Sequence, residues 1–139
     1  MSKVILSSAA IGVVTAAARA AHPLEACGLL LGAGERVEQA SVAANVAASP
    51  RDRFEIDPAH LLAAHRAARG GGLGIQGYWH SHPNGDPRPS ATDAAMADPD
   101  GRLWAIVAGG DMRLYRAVAA GDLHGRFVAV AWSPGDPSS

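Results

Sequence analysis

Residues 75–97 read IQGYWHSHPNGDPRPSATDAAMA, and the folding of this stretch decides the architecture. Ile75 to His82 reads as a strand. Pro83 to Pro89 holds three prolines and a glycine and cannot be regular structure, because proline lacks the donor that a helix or ladder needs. Ser90 to Ala97 opens on a capping serine and reads as a short helix. A strand, a stiff loop and a helix in succession place a helix against a sheet.

Outward from this stretch the same vocabulary repeats. Lys3 to Leu6 is predicted as a short strand, followed by a helix capped by Ser7 or Ser8 with Arg19 and His22 near its end. The apolar start after Lys3 superficially resembles a leader peptide, but it is alanine-rich and too short for a membrane span. Ala26 to Leu31 and Arg36 to Val46 read as a hairpin around Gly32 and Gly34. Ala48 to Asp57 reads as an irregular connection, and Asp57-Pro58 starts a helix that Gly70-Gly71-Gly72 stops. Leu103 to Ala108, Met112 to Val118 and Arg126 to Trp132 are three further strands, the first two joined by a Gly109-Gly110-Asp111 hairpin signal. The order predicts a single α/β (α+β) domain over residues 1–133: a mixed, largely antiparallel sheet with helices packed on it, and a frayed tail at 134–139.

The bulk properties narrow the function. A chain of 139 residues can bury one core without staples. Twelve Lys+Arg against 13 Asp+Glu, a net charge of −1 and no basic run give no electrostatic footprint for nucleic acid or a membrane surface. The single cysteine, Cys27, excludes an internal disulfide and fits a cytoplasmic protein.

Residues i and i+2 of a strand share a face, so His80 and His82 present two imidazoles side by side while Ser81 points away. A His-x-His pair alone is only moderately specific for a metal and needs a third ligand. Asp93 can supply it from the first turn of the following helix. Two histidines, a carboxylate and a position open to water are the usual catalytic arrangement for zinc. Ser90-x-x-Asp93 also reads as an N-cap with a carboxylate favoured by the helix dipole, and the two readings are compatible. Zinc-activated water still needs a group to take its proton. Glu25 enters an otherwise apolar stretch, HPLEACGLLLG, where a carboxylate is costly without a partner; the alternative is a charge at a strand's exposed start.

HPLEACGLLLG followed by HSHPNGDPRPSATD resembles the signature of the JAMM (MPN+) metalloproteases: an upstream glutamate, His-x-His-Pro, seven residues to a serine and two more to an aspartate. The resemblance extends to Asn45, to Phe54-Glu55-Ile56-Asp57-Pro58 and to Gly77-Tyr78-Trp79, and is greatest to compact bacterial members. It implies one zinc ion held by His80, His82 and Asp93, with Glu25 as general base and then acid, and Ser90 as hydrogen-bond donor to the oxyanion. It further implies hydrolysis of peptide or isopeptide bonds at the C-terminal Gly-Gly of a ubiquitin-like or sulfur-carrier β-grasp protein. Larger members grip ubiquitin through two insertions. Here the Leu103 strand follows Asp93 closely, so the second insertion is short, and a partner or a second copy would supply groove contacts. An exposed sheet edge would permit a homodimer.

Other motifs weigh less. Gly72-x-Gly-x-x-Gly77 matches a dinucleotide fingerprint, but these glycines follow a helix and lead into a strand, the reverse of the required context. Cys27 as a hydrolase nucleophile lacks any neighbour that would lower its pKa, and the signature of zinc deaminases is absent. His22, His60, His65 and His124 show no ligand spacing. The alternative from another class is a non-catalytic MPN-type scaffold, a role typical of domains that lack one or more ligands.

Overall fold

A computed structural model describes residues 3–136 of the chain. In chain order its elements are β1 (Val4–Leu6), α1 (Ser8–Ala21), β2 (Cys27–Ala33), β3 (Arg36–Ala43), α2 (Pro58–Arg69), β4 (Gly74–Ser81), α3 (Ala91–Met96), β5 (Leu103–Ala108), β6 (Asp111–Gly121), β7 (Gly125–Ala129) and β8 (Trp132–Pro134). The strands form one sheet in the order β7-β6-β5-β4-β2-β3-β1-β8. Its centre and the β5-β6-β7 meander pair antiparallel, whereas β4 with β5, and β1 with both β3 and β8, pair parallel. The mixed sheet expected from the sequence is present, and the parallel β4–β5 pair is where the chain detours through the proline loop and α3.

Local chemistry sets the boundaries. Ser7 accepts from the Ala10 N–H to start α1, and Asp57 accepts from Ala59 N–H with Pro58 at the first helical position of α2. Gly109 and Gly110 have φ of 57° and 82°, the paired left-handed conformation that a two-residue hairpin requires between β5 and β6. A Cβ on Gly28 would collide with the Ser41 carbonyl and the Trp79 indole; its absence lets Trp79 Nε1–H donate to Ser41 O at 2.8 Å. Gly74 and Gly77, two of the three glycines of the dinucleotide-like motif, lie inside β4.

The sheet carries apolar clusters on both faces. One joins Val4, Leu30, Val37, Trp79, Leu103 and Val107 to Ala10 and Val14 of α1. The other joins Cys27, Trp104, Ile106, Tyr115 and Phe127 to Phe54 and to Ala97 beside α3. Alternation therefore sends Trp79 towards one core and His80 towards the other. No helix among the described residues is long and apolar enough to cross a membrane.

The C-terminal expectation needs correction. The strand predicted over Arg126 to Trp132 ends at Ala129, and Trp132–Pro134 is a separate strand pairing parallel to β1 at the opposite end of the sheet. A flat eight-stranded sheet measures roughly 34 Å across at ~4.8 Å per strand, which the two residues between β7 and β8 cannot span, so the sheet is curled. Pro134, expected in the frayed tail, sits in β8; Gly135 N–H donates to Leu6 O at 3.0 Å, and Asp136 accepts from the N–H and hydroxyl of Ser8 at 3.0 and 2.8 Å. Residues 137–139 of that expectation lie outside the described residues.

Candidate metal centre

β4 delivers the two histidines. His80 lies within the strand opposite Ile106, and His82 is one residue beyond its end, held in register by its N–H donating to Val107 O at 3.0 Å. α3 delivers the aspartate. Asp93 occupies the third position of that helix in a reciprocal capping box: Ser90 Oγ accepts from Asp93 N–H at 3.0 Å, and Ser90 N–H donates to Asp93 Oδ2 at 2.9 Å. The capping reading of Asp93 holds and is compatible with the ligand reading, because the carboxylate that caps the helix also faces both imidazoles.

The three side chains are buried and converge. His80 Nε2 stands 3.1 Å from Asp93 Oδ1, His82 Nε2 stands 3.0 Å from Asp93 Oδ2, and the two Nε2 atoms are 3.0 Å apart. His82 Nδ1–H donates to Asp86 O at 2.7 Å, which fixes the tautomer and turns the Nε2 lone pair towards the cluster. His80 is clamped by packing: Phe54 stacks on it at 4.4 Å and 22°, and Trp104 meets it edge-on at 5.7 Å.

The electrostatics of the cluster favour positive charge, carried by a proton or a metal ion, between its three groups. Burial alone would raise the Asp93 pKa, but the charge and hydrogen bond of His80, the hydrogen bond of His82 when its Nε2 carries a proton, and the Ser90 N–H outweigh it and hold the carboxyl well below its usual range. Burial lowers His80. For His82, burial is outweighed by its bonds to Asp93 and Asp86 and by the Asp93 charge, and its pKa is raised. Two nitrogens and a carboxylate buried face to face need a proton or a metal ion between them. The donor set, three protein ligands with neutral nitrogen and anionic oxygen, suits zinc with a fourth position left open.

Glu25 sits just ahead of β2 rather than within the strand, and is only 5% exposed. It is not the solvent-facing charge at a strand start. Its Oε1 is buried without a hydrogen-bond partner, and the side chain lines a cavity of about 250 Å³ with Arg51, Asp52, His82, Arg88 and Ser90. Burial pushes its carboxyl from the ordinary 4.5 up to about 7; His82 pulls the other way, while Asp93 and Asp52 add to the rise. In the metal-free protein a carboxyl near 7 beside the His80–His82–Asp93 cluster is suited to exchanging protons at neutral pH.

Two residues hold this glutamate in place, and the sequence assigned one of them no function. Asn45 donates to Glu25 O at 3.0 Å and to Arg53 O at 3.1 Å, and accepts from the N–H groups of Ala47 and Glu55. An asparagine bonded on every side is a signal only the three-dimensional structure reveals. Ser81, predicted to point away from the ligands, does so: its Oγ accepts from Ala26 N–H at 2.8 Å and its N–H donates to Ala26 O at 3.0 Å, stapling the Glu25 segment to the ligand strand. Burial pushes the Cys27 thiol up to about 12, so it carries no thiolate near neutral pH, consistent with its structural reading. Among the remaining histidines, His60 Nε2 meets Ser41 Oγ at 2.8 Å and His124 Nε2 meets Pro89 O at 3.1 Å, and the metal-competent cluster includes neither.

Comparison with known proteins supplies independent bearings. The model of prokaryotic homologs of the JAB domain matches residues 7–118. A desampylase of Haloferax volcanii is 39% identical over 101 residues, covering 64% of this chain and 73% of the relative. The solution structure of protein DSY2949 from Desulfitobacterium hafniense superposes with a TM-score of 0.80 at 26% identity, over 96% of this chain and 94% of that one. A structure described as JAMM, a metalloprotease-like zinc site in the proteasome and signalosome, shares the fold with a TM-score of 0.60 at 18% identity, over 97% of this chain and 100% of that one.

Proposed function

This chain belongs to the family of prokaryotic homologs of the JAB domain, and from that membership we propose that it is a zinc-dependent peptidase or isopeptidase. Its substrate would be a ubiquitin-like or sulfur-carrier β-grasp protein, cut after a C-terminal Gly-Gly. The observation that carries the reading is a buried His80–His82–Asp93 cluster whose His82 shares one cavity with Glu25, a side chain with Oε1 buried and unpartnered. A buried carboxylate oxygen without a hydrogen bond costs stability, and a catalytic proton carrier gives that cost a use that a scaffold does not. The similarity to a desampylase supports a hydrolase acting on ubiquitin-like modifiers.

His80, His82 and Asp93 would hold the ion, which when bound supplies Lewis acidity that acidifies water and polarises a carbonyl. Glu25 takes the proton of the attacking water and returns it to the leaving amine. Burial, which raises its pKa in the metal-free protein, favours holding the proton between the two steps. Ser90 already accepts from Asp93 N–H through Oγ, which leaves its own hydroxyl hydrogen free to donate to the developing oxyanion. Glycines at the scissile end suit a buried cluster, because an extended backbone without side chains can approach it closely. The lone cysteine, buried and protonated, is in keeping with action in the cytoplasm.

The test is cleavage of a β-grasp protein extended by a short peptide beyond its Gly-Gly, followed by intact mass. Zinc-loaded wild type should release the peptide after the second glycine, and Glu25→Gln should bind zinc yet release none. Zinc-loaded wild type that leaves both extended and lysine-conjugated substrates intact would turn the reading to the scaffold.

A further inference from the structure

The loop at residues 83–89 must be rigid for the site to work, because it carries the acceptor that fixes His82 and delivers Ser90. Yet Pro83, Pro87 and Pro89 bring no N–H with which to tie it down. Its own bonds leave the Pro87 and Pro89 carbonyls uncovered: Gly85 N–H reaches His82 O at 3.2 Å, Asp86 N–H reaches Asn84 Oδ1 at 2.9 Å, and Arg88 binds the Asp86 carboxylate through its N–H and guanidinium at 3.0 Å. Those two carbonyls are held from outside. Tyr115 of β6 donates from its hydroxyl to Pro87 O at 3.0 Å, and His124 of the β6–β7 turn donates from Nε2 to Pro89 O at 3.1 Å.

The placement of these two donors is selective. Pro87 follows Asp86, whose carbonyl accepts from His82 Nδ1; Pro89 precedes Ser90, whose N–H and Oγ both bond Asp93. Each donor therefore grips the loop one residue from a group that orients a metal ligand. Both come from structural contexts that fix them. Tyr115 is 3% exposed and packs edge-on against Phe127, and His124 is the one non-glycine among the described residues at positive φ, 52°. A left-handed histidine in an exposed turn is strained, and that strain is retained where the imidazole reaches Pro89.

We propose that Tyr115 and His124 are positioning residues that lock the proline loop, Tyr115 acting through Asp86 on His82 and His124 acting through Ser90 on the oxyanion donor and Asp93. A packing role alone would require neither polar atom. The kinetic part of the test rests on the proposed peptidase reading; the metal part does not.

Three substitutions separate the roles. Tyr115→Phe keeps the ring and removes the donor; His124→Asn keeps tolerance of the left-handed conformation and shortens the reach; His124→Gln restores a donor of similar length. Zinc affinity by chelator competition, the visible spectrum of the cobalt(II)-loaded protein, kcat and KM on a Gly-Gly extension, and the unfolding temperature are measured for each. Tyr115→Phe should weaken zinc roughly tenfold, in the range seen for residues behind metal ligands. His124→Asn should lower kcat roughly tenfold with KM little changed, His124→Gln should recover it, and the cobalt bands of Tyr115→Phe and His124→Asn should shift. Wild-type affinity, spectrum and kcat in both variants, or losses that track unfolding temperature with no recovery in His124→Gln, would overturn the proposal. If wild type binds zinc but cleaves nothing, the peptidase reading fails, and affinity and cobalt spectra still decide this one.

Discussion

Replacing Glu25 by glutamine should do two opposite things, and their size follows from the site. The carboxyl is buried, one of its oxygens has no partner, and its pKa is about 7 against an ordinary 4.5. A carboxyl whose folded pKa exceeds its unfolded value binds more protons folded than unfolded, so stability falls as pH rises between those values. The displacement corresponds to about 3 kcal/mol of destabilisation above pH 7, at ~1.4 kcal/mol per tenfold. Glutamine has similar shape and no charge to bury. Metal-free Glu25→Gln should therefore be more stable than metal-free wild type at pH 8, by up to about 3 kcal/mol, and the difference should vanish below pH 4.5. In urea unfolding with chelator present, that is a midpoint shift that grows with pH. The same variant should lose about 10²-fold to 10⁴-fold in rate, the usual contribution of a general base. A variant less stable than wild type at pH 8, or a difference that does not change with pH, would refute the electrostatic reading of Glu25.

The ring of Phe54 is 4% exposed and stacked on His80, so Phe54→Ala should cost about 3 to 5 kcal/mol in chemical denaturation and weaken zinc binding measured by chelator competition. Ser81→Ala leaves the Ala26 N–H without its acceptor and should cost about 1 to 3 kcal/mol; single-turnover assays should show a slower chemical step as Glu25 shifts. Because the raised His82 pKa means a proton competes for the same lone pair, zinc affinity should fall as pH drops through the neutral range, and binding near pH 6.5 should release protons. Calorimetry in buffers of different ionisation enthalpy reads that release directly, and a buffer-independent heat would contradict it.

The fold and the convergence of His80, His82 and Asp93 were largely legible because their signals are local. Proline, glycine and capping residues fix the strand, loop and helix around His80 to Asp93, and alternation fixes which side chains share a face. What escaped was set by distant partners. β8 is three residues long, ends in a proline and exists through parallel pairing with β1 at the far edge, so no pattern within Trp132–Pro134 announces it. The hold on Glu25 by Asn45 and Ser81 was equally invisible, since it joins segments far apart in the chain. Glu25 itself stood out by composition alone, as a charge in an apolar run, while its burial and its empty hydrogen-bonding position are tertiary facts.

The central claim is that His80, His82 and Asp93 hold one catalytic ion beside Glu25. Zinc titrated into chelator-stripped protein, with cleavage of a Gly-Gly extension followed at each addition, tests it most directly. The account predicts activity rising linearly to a break at one ion per chain, and no recovery at that point in Asp93→Asn. Full activity in the stripped protein, or a wild-type titration matched by Asp93→Asn, would contradict it.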